Sequence, residues 1–68
     1  MNNVLEGLNT SEKLRVFMAA KKFNPMDIAN LLSVTRETVN NRLESDKWFI
    51  GDLKKIAAEY DIDIQDLT

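Results

Sequence analysis

An all-α, compact five-helix domain is the fold class this sequence predicts, and three observations carry that expectation. Apolar residues recur at spacings of three and four, the period of one helix face, and few β-branched runs alternate with polar residues. Only two glycines and one proline interrupt 68 residues. Residues that cap helices stand directly before several apolar stretches, as in Asn24-Pro25 and Thr35-Arg36. The length fits one domain with a small core, since a chain of this size buries only about 60% of its unfolded surface.

Residues 1–10 read as an N-terminal extension ahead of a domain spanning 11–68. Val4, Leu5 and Leu8 suit a short turn or arm packed on that domain, and Gly7 weakens any helix there. Helix one is expected over 11–22. Thr10 or Ser11 supplies its cap, Glu12 its early negative charge, and Leu14, Phe17 and Met18 its buried stripe. Lys21 and Lys22 suit its negative end. Helix two is expected over 25–32. Asn24 caps it, Pro25 fits a first turn that needs no N–H partner, and Asp27 favours the positive end. Met26, Ile28, Ala29 and Leu32 are its apolar positions, and the small Ala29 lets another helix cross closely.

Ser33-Val34 is the expected turn, and Thr35 the cap of a third helix over 36–45. That helix has only two apolar anchors, Val39 and Leu43, four residues apart. Arg36, Glu37, Thr38, Asn40, Asn41, Arg42 and Glu44 fill the rest. Such a helix buries itself poorly and is equipped to meet something polar. Ser45-Asp46-Lys47 reads as a loop and Trp48-Phe49-Ile50 as core. Helix four is expected over 51–60, with Leu53, Ile56 and Ala57 inward. Asp63 caps a fifth helix over 63–67 containing Ile64 and Leu67. The expected core is Leu14, Phe17, Ile28, Leu32, Val39, Leu43, Leu53 and Ile56.

Composition narrows the function classes. There is no cysteine, hence no disulfide framework or thiolate metal site, and no histidine, the commonest general base and metal ligand. An enzyme is therefore a remote reading; neither cofactor nor metal is expected. Asp61, Asp63 and Asp66 lack the glycine and terminal Glu of a calcium loop. No signal peptide and no membrane-spanning stretch is read, so the expected setting is intracellular, without a membrane partner. The net charge is −2. Its distribution is uneven: nine basic and seven acidic residues precede Glu59, and only acids follow from there. A nucleic-acid binder needs one positive face rather than a positive total.

From Leu14 to Leu67 the chain resembles the Cro/CI-type (xenobiotic-response-element, XRE) helix-turn-helix repressors of phages. The shared frame is Leu14-Arg15, Ile28-Ala29, Leu32-Ser33-Val34-Thr35-Arg36-Glu37-Thr38-Val39, Leu53 with Ile56-Ala57, and Ile62 with Ile64 and Leu67. The chain departs from that pattern at four places. Ser33 replaces a frequent turn glycine. Pro25 replaces a Gln that contacts a phosphate, leaving backbone N–H groups of the helix start for that task. Met18 and Leu43 replace a paired Arg and Glu, which predicts an apolar contact between them. Arg42 stands at a usually apolar position, with Leu43 taking over as anchor.

The resemblance implies a lambda-repressor-like DNA-binding domain, with helix 35–45 entering the major groove of double-stranded DNA. The candidate base readers are Arg36, Glu37, Asn40 and Asn41. Arg suits guanine, Asn suits adenine, and Glu accepts from cytosine N4. The candidate backbone contacts are Lys22, Thr35, Thr38, Arg42 and Lys47. Simpler roles stand beside these. Thr35 caps a helix in any case, Arg42 is placed to pair with Asp46 or Glu44, and the acidic tail suits a solvated face. Two functions fit the pattern. One is a sequence-specific transcription regulator, cytoplasmic and nucleoid-associated, bacterial or phage-encoded, acting as a weak two-fold homodimer through the segment from Trp48 onward or through residues 1–10. The other is a protein-interaction module on the same fold, such as an antagonist that binds a regulatory protein.

Overall fold

A computed structural model describes residues 5–68 of the chain. These form four α-helices, α1 (Thr10–Lys21), α2 (Pro25–Leu32), α3 (Arg36–Ser45) and α4 (Ile50–Glu59), and a closing 3-10 turn (Ile64–Asp66). No strand occurs among the described residues. The all-α expectation therefore stands, but the count of five helices does not. The fifth element is a single 3-10 turn because Ile64 and Leu67, three residues apart, both face the core, with Leu67 wholly buried. A turn of three residues aligns them.

The helix starts follow from capping chemistry. At α1 the cap is Asn9, not Thr10 or Ser11. Asn9 Oδ1 accepts from Glu12 N–H at 2.8 Å, and Glu12 Oε1 accepts from Asn9 N–H at 3.1 Å. The two hydroxyls are released for tertiary bonds: Thr10 Oγ1 donates to the Leu67 carbonyl at 2.8 Å, and Ser11 is buried. Asn24 and Asp27 form the same reciprocal box at α2, with Pro25 in the first turn. Thr35 caps α3, accepting from Thr38 N–H at 3.1 Å. Only α4, which starts at Ile50 rather than 51, has no side-chain cap.

Three chain reversals share one device. Lys22, Ser33 and Asp61 adopt the left-handed conformation, at φ of 60°, 58° and 54°. The apolar residue after each then turns back and bonds the preceding helix: Phe23 to Met18, Val34 to Ala29 and Ile62 to Ala57. Phe23 and Ile62 become core residues by this route.

The core gathers residues from every element: Leu14 and Met18, Phe23, Ile28, Ala29 and Leu32, Val39 and Leu43, Leu53, Ile56 and Ala57, then Ile62 and Leu67. Of the eight expected core residues only Phe17 falls short; it is half-buried against the cluster. Met18 and Leu43 are both buried in this one core. Phe23 stacks on Tyr60, with ring centroids 3.8 Å apart and planes within 6°. Ahead of α1, Leu5–Gly7 make a turn closed by Leu8 N–H to the Leu5 carbonyl, and Leu5 and Leu8 are half-buried. Val4 lies outside the described residues.

The segment Trp48-Phe49-Ile50 departs from the expectation of core. Trp48 packs against the cluster, whereas Phe49 is 67% and Ile50 53% exposed. Among the described residues no helix is long and apolar enough to cross a membrane.

Candidate nucleic-acid interface

α2 and α3 are joined by Ser33, Val34 and Thr35 alone. Ser33 carries its Cβ in the left-handed conformation where glycine is common, and Val34 half-buries to pin the turn. α3 is fastened by Val39 and Leu43, both buried. Its 3.6-residue repeat then leaves Arg36, Glu37, Asn40 and Asn41 exposed, together with Glu44. None of these five side chains has a hydrogen-bonding or ionic partner among the described residues. The helix thus presents one guanidinium, two carboxamides and two carboxylates with all their hydrogen-bonding capacity free.

Thr35 and Thr38 are bound to one another, hydroxyl to hydroxyl at 2.9 Å, while Thr35 also holds the cap. A hydroxyl both donates and accepts, so each keeps capacity for a further partner. Lys22 is exposed at the end of α1, two residues before Asn24, and Asn24 shares a cleft with Arg36. Lys47 is exposed in the loop after α3. In the chain Lys22 precedes α2 and Lys47 follows α3.

Arg42 has a different situation. Its Nη1 donates to Asp52 Oδ2 at 2.6 Å, and its guanidinium lies over the Phe49 ring, 5.1 Å from the centroid. The partner is Asp52, from the first turn of α4, rather than Asp46 or Glu44. Arg42 is only 18% exposed. It ties α3 to α4, and its charge is neutralised within the molecule. The exposed residues of α3 therefore carry one positive charge, Arg36, against the two negative charges of Glu37 and Glu44.

A polar hub fixes where α3 ends. Asp46 is left-handed, at φ 57°. Its Oδ1 accepts from both Ser11 N–H, at 2.9 Å, and Ser11 Oγ, at 2.8 Å. Trp48 Nε1 donates to the same Ser11 oxygen at 2.9 Å. Ser11 is the one buried polar residue of the described chain, and no buried side-chain nitrogen or oxygen there lacks a partner. The start of α1 thereby holds the loop that carries Lys47. Nothing in the local sequence announces this hub, because its members lie 35 and 37 residues apart. The Arg42–Asp52 pair, ten residues apart, was open to detection as opposite charges flanking a short loop.

The start of α2 is less open to an anion than its sequence suggests. Pro25 has no N–H, and the N–H groups of Asn24 and Asp27 are taken by the capping box. The Asp27 carboxylate also sits there. No group of three or more potential metal ligands occurs among the described residues.

No protein-family model matches the chain, and no curated protein or solved structure is significantly similar to it.

Proposed function

We propose that this chain is a sequence-specific DNA-binding domain in which α2, the three-residue turn and α3 act as a helix-turn-helix. In this reading α3 enters the major groove, and Arg36, Glu37, Asn40 and Asn41 meet base edges. Lys22 and Lys47, with the Thr35 and Thr38 hydroxyls, take backbone phosphates. Arg42 acts indirectly, by fixing α3 against α4. One observation carries the proposal: a helix held by only two buried apolar side chains exposes a row of Arg, Asn and Glu with no partner among the described residues. The resemblance to Cro/CI-type repressors over residues 14–67 supports the same reading. Bound at an operator, such a domain regulates transcription by occlusion. It acts in the cytoplasm of a bacterium, most effectively as a weak homodimer on two half-sites.

A second reading rests on its own observation. Phe49 and Ile50 are exposed side by side at the start of α4, and the chain is net acidic. Adjacent exposed apolar side chains of this kind suit a protein partner, and the chain then acts as an interaction module on the same fold.

Binding of the full chain to a duplex from beside its own gene, followed against salt, separates the two. The DNA reading expects saturable binding that weakens linearly in log salt. Absence of binding to any duplex at low salt overturns it and leaves the interaction module.

A further inference from the structure

Met26 is a surface residue that neither the core nor the base-reading row accounts for. Methionine commonly fills gaps inside a core, yet this one is 50% exposed. It lies in a cleft of about 220 Å³ lined by Asn24, Pro25, Met26 and Arg36. The cleft joins an apolar pair from the first turn of α2 to a cation from the first turn of α3. The Arg36 guanidinium has no partner among the described residues. A phosphate is a poor occupant. Two N–H groups at this helix start are already bonded at 3.0 and 2.9 Å, a third is absent in proline, and the Asp27 carboxylate repels an anion.

We propose that this cleft reads a thymine adjacent to the guanine taken by Arg36, with Met26 and Pro25 packed on the thymine C5 methyl. The proposal rests on the DNA-binding reading and narrows it to sites containing a thymine–guanine step. Guanine offers N7 and O6 to a guanidinium, and thymine is the only unmodified base with a methyl group in the major groove. Consecutive bases are separated by about 3.4 Å along the axis, so one cleft spans both groups. An arginine alone accepts a guanine in any context. Apolar surface beside it adds a preference for the flanking base.

The test starts from an operator selected from random duplexes with the full chain. The selected site is expected to hold a guanine flanked by thymine. Replacing that thymine by deoxyuridine removes only the methyl group and should weaken binding about fourfold, the worth of one buried methyl carbon. Met26→Ala is half-exposed and should fold like the parent. It should bind the thymine site about as weakly as the parent binds the uracil site, and should no longer discriminate the two. Met26→Leu should restore discrimination. Equal binding of thymine and uracil sites by the parent overturns the proposal, as does undiminished discrimination by Met26→Ala. Either result leaves the DNA reading standing. A selection that enriches no sequence removes both.

Discussion

α2 and α3 are joined by three residues, yet they spend their surfaces in opposite ways. α2 commits Ile28, Ala29 and Leu32 to the core within eight residues and is closed at its start by a two-way capping box. α3 commits two of ten residues and holds a row of polar side chains in solvent with no partners among the described residues. Burial decides stability and exposed capacity decides recognition, so the two helices should fail differently when changed. α2 and the inner side of α3 should answer to folding measurements. The outer side of α3 should answer only to a ligand.

The largest effects should come from the inner side. Ile28→Ala and Leu43→Ala each remove a buried branched side chain and should cost about 2–5 kcal/mol of stability. Thermal or denaturant unfolding would check this. For a domain with little to spare, either loss brings the unfolded state into view at ordinary temperature. Small losses at both sites would erase the contrast between the buried side chains of the two helices and the exposed side of α3.

Next comes the hub beneath α3. Ser11→Ala strands the Trp48 indole N–H and one of the two bonds to Asp46, which should cost about 1–3 kcal/mol. Trp48 is the only tryptophan. Its fluorescence should shift at the same time, while Asn9→Ala, which removes a cap on the same helix, should leave the fluorescence alone.

The turn gives a change of opposite sign. Ser33 is left-handed, a conformation that costs a residue with a Cβ about 1–2 kcal/mol, while glycine loses about 0.5–1 kcal/mol of that advantage to its freer unfolded chain. Ser33→Gly should therefore stabilise by several tenths to about 1 kcal/mol, visible as a higher Tm. A smaller effect is confined to alkali. Burial against Phe23, and then the carboxylates of Asp27 and Glu59, hold the Tyr60 phenol above its ordinary pKa of 10.0. The fold favours the neutral phenol. That stability is complete below pH 10 and is lost as pH rises through the raised value. Tyr60→Phe should lose less stability than the parent across that range.

Which of these features the sequence revealed follows from their range. Asn24, Pro25, Thr35 and the Val39–Leu43 pair act on near neighbours, and each was readable from a few residues of context. The exposed row Arg36, Glu37, Asn40 and Asn41 followed from that pair and the helical repeat. Features built by distant partners were not readable. Ser11 looked like a cap until Asp46 and Trp48 came into reach of it. Phe23, between two helices, carries no periodicity that marks it as core; the left-handed Lys22 turns it inward onto Tyr60. Phe49 and Ile50 looked like core because they are apolar, and only the path of the chain into α4 leaves them outside. Arg42 lies between these cases: its partner Asp52 is only ten residues away across a short loop, yet nearer carboxylates at Glu44 and Asp46 compete for it in the sequence.

The most direct measurement of the central claim is a set of single truncations on the outer side of α3. Arg36→Ala, Asn40→Ala and Asn41→Ala would each be measured against the selected operator and its point variants. Their stabilities should stay within about 0.5 kcal/mol of the parent. Each base-reading truncation should cost about 1–3 kcal/mol of binding and relax the preference at one base pair, whereas Lys47→Ala should weaken every duplex alike and lower the salt slope by about one. If all three α3 variants bind the operator and its variants as the parent does, α3 is not the reading helix, and the account is wrong at its centre.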